Sequence, residues 1–167
     1  MEHPPIPDEL RARIENDPWA RALGLRYHEL RRGYCRTSLT LQPHMVNFQG
    51  APHGGVIFTL ADVTFGAACN SHGEDAVALS VTINYLSSVK PGVTLEAEGR
   101  AVRQGRRAGF YTITVTAGDG TLVATAHCVA AQGGLPCVIR GDLNSGPSGP
   151  VCCLPPRWQR RPRCPRT

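Results

Sequence analysis

Apolar and polar positions alternate along this chain in a way that sets short strands around one long apolar segment. Asp8 to Asn16 reads as a short helix, with Pro7 before it and Leu10 and Ile14 four apart on one face. A second helical piece starts at Pro18 and is ended by Gly24. Leu25–Leu30 and Tyr34–Leu41 read as strands around the turn Arg31-Arg32-Gly33; the second sets Cys35, Thr37, Leu39 and Leu41 against Arg36, Ser38 and Thr40. Gln42 to Pro52 is a loop with a proline near each end. Gly54 to Asn70 is the longest helical run. Val56, Ile57, Leu60, Ala61, Phe65 and Ala68 give it apolar surface around most of its circumference, which predicts a buried helix. Four strands follow, over Ala76–Leu86, Thr94–Val102, Phe110–Ala117 and Thr121–Ala131, with turns at Lys90-Pro91-Gly92 and Gly118-Asp119-Gly120. In the first of these, Val77, Leu79, Val81, Ile83 and Tyr85 are predicted to share a face. The order β-β-α-β-β-β-β predicts an α+β fold, a curved antiparallel sheet wrapped around one long buried helix.

The periodicity stops after Gly133-Gly134, so residues 1–134 are predicted to form the folded domain and 135–167 a disordered tail rich in Pro, Arg and Cys. Half of the fourteen prolines fall in that tail, and the break fits either a natural arm or the product of a reading-frame slip in a GC-rich gene. The tail also changes the meaning of the net charge of +5. It holds six arginines and one acid, which leaves twelve basic and twelve acidic residues in the body. The body is therefore no nucleic-acid binder by charge; only the tail could be. Of seven cysteines, Cys35, Cys69 and Cys128 lie in the body and four in the tail. The odd total argues against a disulfide framework, and no paired C-x-x-C spacing marks a metal site. Cys69 and His72 are three apart, without two further ligands in view. No membrane-length apolar run and no export signal are visible, which predicts a cytoplasmic protein.

The chemistry concentrates in Asn47-Phe-Gln-Gly-Ala-Pro-His53-Gly54-Gly55-Val-Ile-Phe-Thr-Leu-Ala-Asp62. A loop ends in a glycine pair and opens directly into the apolar helix. Bare N–H groups at a helix start are ready-made oxyanion donors. A lone Asp inside an apolar helix is costly unless it pairs or works. Together they suggest hydrolysis of an activated carbonyl.

Asn47-x-x-Gly50-x-x-His53-Gly54-Gly55-x-x-Phe58-x-Leu60-Ala61-Asp62, followed by Phe65, Ala68 and Asn70-Ser71, resembles the hotdog-fold acyl-CoA thioesterases of phenylacetate catabolism. Tyr85-Leu86, Lys90-Pro91-Gly92 and Phe110-Tyr111 add generic matches, and the resemblance spans about residues 15–133. It implies a hotdog fold, hydrolysis of aryl- or arylacetyl-CoA, and a tetramer built from two dimers. It places the catalytic carboxylate on Asp62, the oxyanion glycine on Gly55 or Gly54, and substrate-orienting polar groups on Asn47 and His53. Asn70 falls in the same motif as a substrate-binding candidate. Lys90 and Arg106, with Arg103 and Arg107, are candidates for the CoA phosphates. No metal or cofactor is expected.

Spacing adds a constraint. Gly55 and Asp62 are seven residues apart, about two turns, so they share a face but stand about 10.5 Å apart along the axis. One helix cannot present both to one carbonyl, which demands about 2.7–3.1 Å. Two helices set antiparallel by a two-fold axis could, giving an obligate dimer with two equivalent sites. Two other readings stay open at this point: a dehydratase or hydratase using His53 and Asp62, and a non-catalytic acyl-CoA-binding protein.

Overall fold

The computed structural model describes residues 4–133. The predicted tail lies outside the described residues. Two short helices, α1 (Asp8–Glu15) and α2 (Pro18–Leu23), precede a strand pair, β1 (Arg26–Arg31) and β2 (Tyr34–Thr40). The long helix α3 (Gly54–Asn70) follows, then β3 (Ala76–Tyr85), β4 (Thr94–Gln104), β5 (Ala108–Ala117) and β6 (Leu122–Gln132). Asp17 caps α2 by accepting from the Trp19 and Ala20 N–H groups, and Gly24 ends it in the left-handed region at φ 76°. No described helix is long and apolar enough to cross a membrane.

The six strands form one antiparallel sheet in the order β1-β2-β4-β5-β6-β3. After α3 the chain crosses to the far edge and then returns through β4, β5 and β6. The sheet wraps the helix: Leu60, Ala61, Phe65 and Ala68 are at most 1 % exposed against Leu95, Ala97, Ile113 and Val115. Each such aliphatic side chain contributes about 1.5–3 kcal/mol by leaving water. Phe65 meets Tyr111 edge-on, ring centres 5.4 Å apart. The helix can come this close because β4 carries Gly99; a Cβ there would stand 2.9 Å from Ile113 Cδ1 and 3.1 Å from Thr64 Cγ2.

Two expectations change. The helix is not covered all round: Gly55, Phe58, Thr59, Asp62, Gly66 and Asn70 escape full burial and form a continuous open stripe at helical spacing. The sheet covers one side only, and the open side carries Phe58 beside polar residues and glycines. Nor does β3 present one apolar face. Its register against β6 slips between Ala78 and Ser80, a bulge that throws Leu79 outward, 58 % exposed. Being an edge strand, β3 leaves Tyr85 also 52 % exposed.

One polar pair sits inside the helix–sheet interface. Thr64 Oγ1 donates to the Leu60 carbonyl at 2.7 Å, so the Thr37 hydroxyl donates to Thr64 at 2.6 Å. Both threonines are fully buried. Thr64→Val leaves the Thr37 donor unpaired and should cost about 1–3 kcal/mol in urea unfolding, whereas Thr37→Val combined with Thr64→Val should recover most of that loss.

Candidate active site

The loop before α3 is built by Asn47. Its Oδ1 accepts the Gln49 N–H at 2.9 Å and the Ala51 N–H at 3.2 Å, while its own N–H donates to the Ala51 carbonyl at 2.7 Å. The His53 N–H donates to the Met45 carbonyl and pins the loop's end. This tight turn leaves Asn47 Nδ2 without a hydrogen bond among the described residues and pushes Phe48, 96 % exposed, to the loop tip.

His53 is the N-cap of α3. Its Nδ1 accepts the Gly55 N–H at 2.9 Å, which requires the neutral ring with its proton on Nε2. The predicted first-choice oxyanion donor, Gly55, is therefore occupied in this state. The Gly54 N–H makes no hydrogen bond among the described residues. Tyr85 fixes this residue: its hydroxyl donates to the Gly54 carbonyl at 3.0 Å, and its ring lies 3.4 Å from where a Gly54 Cβ would stand. Gly54, Pro52, Ile57, Tyr85, Leu86 and Val89 line a cleft of about 300 Å³ at the helix start. In the sequence Tyr85 stood out only as a strand residue and a generic family match; its contact with Gly54 follows from β3 lying next to the start of α3.

Asp62 lies two turns further on, in a different cleft. That cleft, about 320 Å³, is lined by Ile14, Trp19, Tyr27, Asp62, Gly66 and Asn70, among others. Asp62 makes no hydrogen bond and no ion pair among the described residues. Burial without a partner raises its pKa above the ordinary carboxylate value. The neighbouring thiols are held in the other direction from reactivity. Desolvation raises Cys69 to about 12, and Cys128 likewise to about 12 with the Asp62 charge as a further cause. Neither serves as a thiolate at neutral pH, and among the described residues no group of His, Cys, Asp and Glu could hold a metal.

The remaining candidates do not gather here. The Asn70 amide is spent within the chain. Its Oδ1 accepts the Ala76 N–H at 2.9 Å, and its Nδ2 donates to the Gly66 and Ala76 carbonyls at 2.9 and 3.1 Å. It ties the end of α3 to the start of β3. Lys90 lies by the start of β4 and Arg106 in the turn after its end. The 11 residues of β4 hold them roughly 33 Å apart, so one chain cannot bring both to one phosphate group. Trp19 and Tyr27, which no motif marked, join Asp62 because α2 and β1 pack beside the open stripe.

An unpaired, half-buried carboxylate opposes stability. Because the folded state raises its pKa, the native protein binds that proton more tightly than the unfolded chain. The penalty is absent below the unfolded value near about 3.9, grows as pH rises toward the raised one, and is fully present above it. Asp62→Asn should therefore raise Tm at pH 7 by on the order of a few degrees, with the gain vanishing near pH 3–4; a pH series of thermal melts checks this.

Comparison with known proteins gives this geometry a lineage. Residues 49–124 match the thioesterase superfamily. The acyl-coenzyme A thioesterase PaaI of Escherichia coli is 38% identical over 104 residues, 62% of this chain and 74% of that protein. The structure of the PaaI protein from the E. coli phenylacetic acid degradation operon superposes with a TM-score of 0.73 at 34% identity, over 76% of this chain and 92% of the other. A Streptococcus mutans protein bound to acetyl-CoA superposes with a TM-score of 0.64 at 35% identity, over 66% and 90%. With that likeness in sequence and in fold, the chain is a hotdog-fold thioester hydrolase, a member of the thioesterase superfamily.

Proposed function

We propose that this hydrolase cleaves acyl-CoA thioesters, aryl- or arylacetyl-CoA such as phenylacetyl-CoA, to the free acid and CoA. The observation that carries the reading is the unpaired Asp62 carboxylate, on the helix whose start bears the open Gly54 N–H but in a separate cleft. Relatives named as acyl-CoA thioesterases and a related structure holding acetyl-CoA support CoA as the leaving group. PaaI's place in a phenylacetic acid degradation operon supports the aromatic acyl group and a part in aromatic catabolism.

In this reading two chains pair with their α3 helices antiparallel, so that each site takes its donors from one chain and its Asp62 from the other. The exposed, bulged edge of β3 is the sheet surface open to such pairing. Two dimers then make a tetramer. The thioester carbonyl lies over the Gly54 N–H, with the positive end of the α3 dipole behind it. Gly55 joins as a second donor when the His53 ring turns away. Asn47 Nδ2, free to donate, orients the carbonyl or the attacking water. Asp62 of the partner subunit either removes a proton from that water as it attacks, or attacks the carbonyl itself to give a mixed anhydride that water then hydrolyses to the free acid and the regenerated carboxylate. The carbonyl π electrons move to oxygen, collapse back and expel the CoA thiolate. A thiol with pKa near about 8.5 leaves without a strong general acid, which fits a site with few titratable groups. The His53 ring caps its own helix, so it is placed to shape the donor set and not to serve as the base a dehydratase would need. Lys90 or Arg106, not both from one chain, meets the CoA phosphates; Asn70 contributes by holding the helix end. Residues 1–134 carry the activity, and the basic tail is the part suited to any nucleic-acid contact.

The test follows phenylacetyl-CoA by chromatography, because seven cysteines would react with a thiol dye. Asp62→Ala should lose at least about 10³-fold in kcat. Gly54→Pro removes the open N–H at a position where proline is well tolerated, and should also abolish turnover. Neither variant alone is active, but co-refolded in equal amounts they should regain about a quarter of wild-type activity, since half of the dimers then carry one intact site. No recovery, with mixed dimers present, sinks the shared site.

A further inference from the structure

Gly66 is the residue on α3 that neither helix propensity nor packing within the chain explains. Glycine is a poor choice inside a helix, and it is normally kept where a neighbour approaches too closely for a side chain. Here a Cβ would meet nothing within 4 Å. The residue lies one turn beyond Asp62 on the open stripe, in the cleft whose other walls are Trp19, Tyr27 and Ile14. Burial of the Tyr27 phenol and 58 % exposure of the Trp19 indole make one wall inner and one outer. The two charged groups of this cleft are engaged elsewhere: Asp17 caps α2, and Arg13 pairs with Asp75 at 3.2 Å. The apolar part of its lining, Ile14, Trp19, Tyr27 and Val63, stands beside the unpaired Asp62 carboxylate in a mixed polar and apolar cleft of about 320 Å³. An apolar cavity of about 150 Å³ already holds benzene.

We propose that this cleft receives the aromatic ring of the acyl group, between Trp19 and Tyr27, with Gly66 as the floor that sets its depth. The inference rests on the thioesterase reading of Asp62, because it places the ring one helical turn from the carbonyl that Asp62 attacks or hydrates. The antiparallel pairing that sets Gly54 against Asp62 also brings the 47–52 loop to the level of Gly66. Phe48 of the partner subunit, so exposed in one chain, then closes the mouth of the cleft. Aromatic rings favour offset or edge-on neighbours, which Trp19, Tyr27 and Phe48 together supply. A short aliphatic acyl group would leave the cleft empty and gain nothing from it.

The experiment compares phenylacetyl-CoA with acetyl-CoA on the full chain. Gly66→Leu places a good helix former in open space and fills the floor. It should lower kcat/KM for phenylacetyl-CoA at least about tenfold while leaving acetyl-CoA within about twofold. Trp19→Ala should raise KM for phenylacetyl-CoA with little change for acetyl-CoA. Equal losses on both substrates, no loss on either, or dissociation of the Gly66→Leu protein in size-exclusion chromatography would overturn the proposal; the last would assign Gly66 to the subunit contact. Calorimetric binding of phenylacetyl-CoA is measured in parallel on Asp62→Ala protein with and without Gly66→Leu. If the wild type hydrolyses no acyl-CoA, the thioesterase reading fails, and this binding pair still decides the cleft: tenfold weaker binding with Gly66→Leu supports it, unchanged binding refutes it.

Discussion

The rest of the structure hangs on the contact of α3 with β4 at Gly99. The missing side chain lets the helix settle against the sheet at Thr64 and Ile113, and that seating fixes which side of the helix faces out. Leu60, Ala61, Phe65 and Ala68 go inward, and the stripe from Gly55 through Asp62 to Asn70 is left uncovered. Once the helix is seated, rise and twist place every group that bears chemistry. The open Gly54 N–H stands at its start and the Asp62 carboxylate about 12 Å along the axis, in two clefts. A single chain therefore keeps the helix-start N–H and the carboxylate apart.

Several local costs fall on this one side. Asp62 is half-buried without a partner, Gly66 weakens the helix by about 1 kcal/mol relative to alanine, Phe48 stands in water, and β3 offers a bulged, unpaired edge. A folded chain under selection for stability alone would not keep these together. Each becomes intelligible if the side is completed by something outside the chain, substrate or second subunit. Violations of local rules are expected to gather at sites that work. On the sheet side Phe65 packs against Tyr111 and the buried Thr37–Thr64 hydroxyl pair is satisfied.

Sequence patterning was enough to outline most of the fold. The limits of α3 coincide with the run from the glycine pair to Asn70, because apolar spacing, the cap and the turn all agree there. The strands agree to within two residues. What escaped has definite causes. The facing of β3 was misread because one bulge at Leu79 reverses the alternation, and nothing in Ala-Val-Ala-Leu-Ser announces a bulge. Lys90 and Arg106 looked equivalent as basic turn residues until β4 set them at opposite ends of the sheet. Trp19 and Tyr27 carry no motif, and only the packing of α2 and β1 beside the open stripe gives them a place near Asp62.

The donor identity shows the same limit at the level of a single proton. His53-Gly54-Gly55 reads first with Gly55 as the oxyanion group and Gly54 as the alternative. In the proposed mechanism the choice depends on one ring: with Nδ1 accepting, His53 satisfies the Gly55 N–H and leaves the Gly54 N–H open. The arrangement has a chemical logic. A helix start with several bare N–H groups would hold water or any passing anion, and displacing that ligand would oppose substrate binding. By satisfying one donor internally, an exposed imidazole narrows the site to a single N–H held in place by Tyr85 through the Gly54 carbonyl. As negative charge develops on the substrate oxygen, a second N–H becomes worth more to it than to a neutral imidazole, since charged acceptors make the stronger hydrogen bonds. The ring then has reason to yield only when the carbonyl has become an oxyanion, which is the condition for stabilising a transition state more than a ground state.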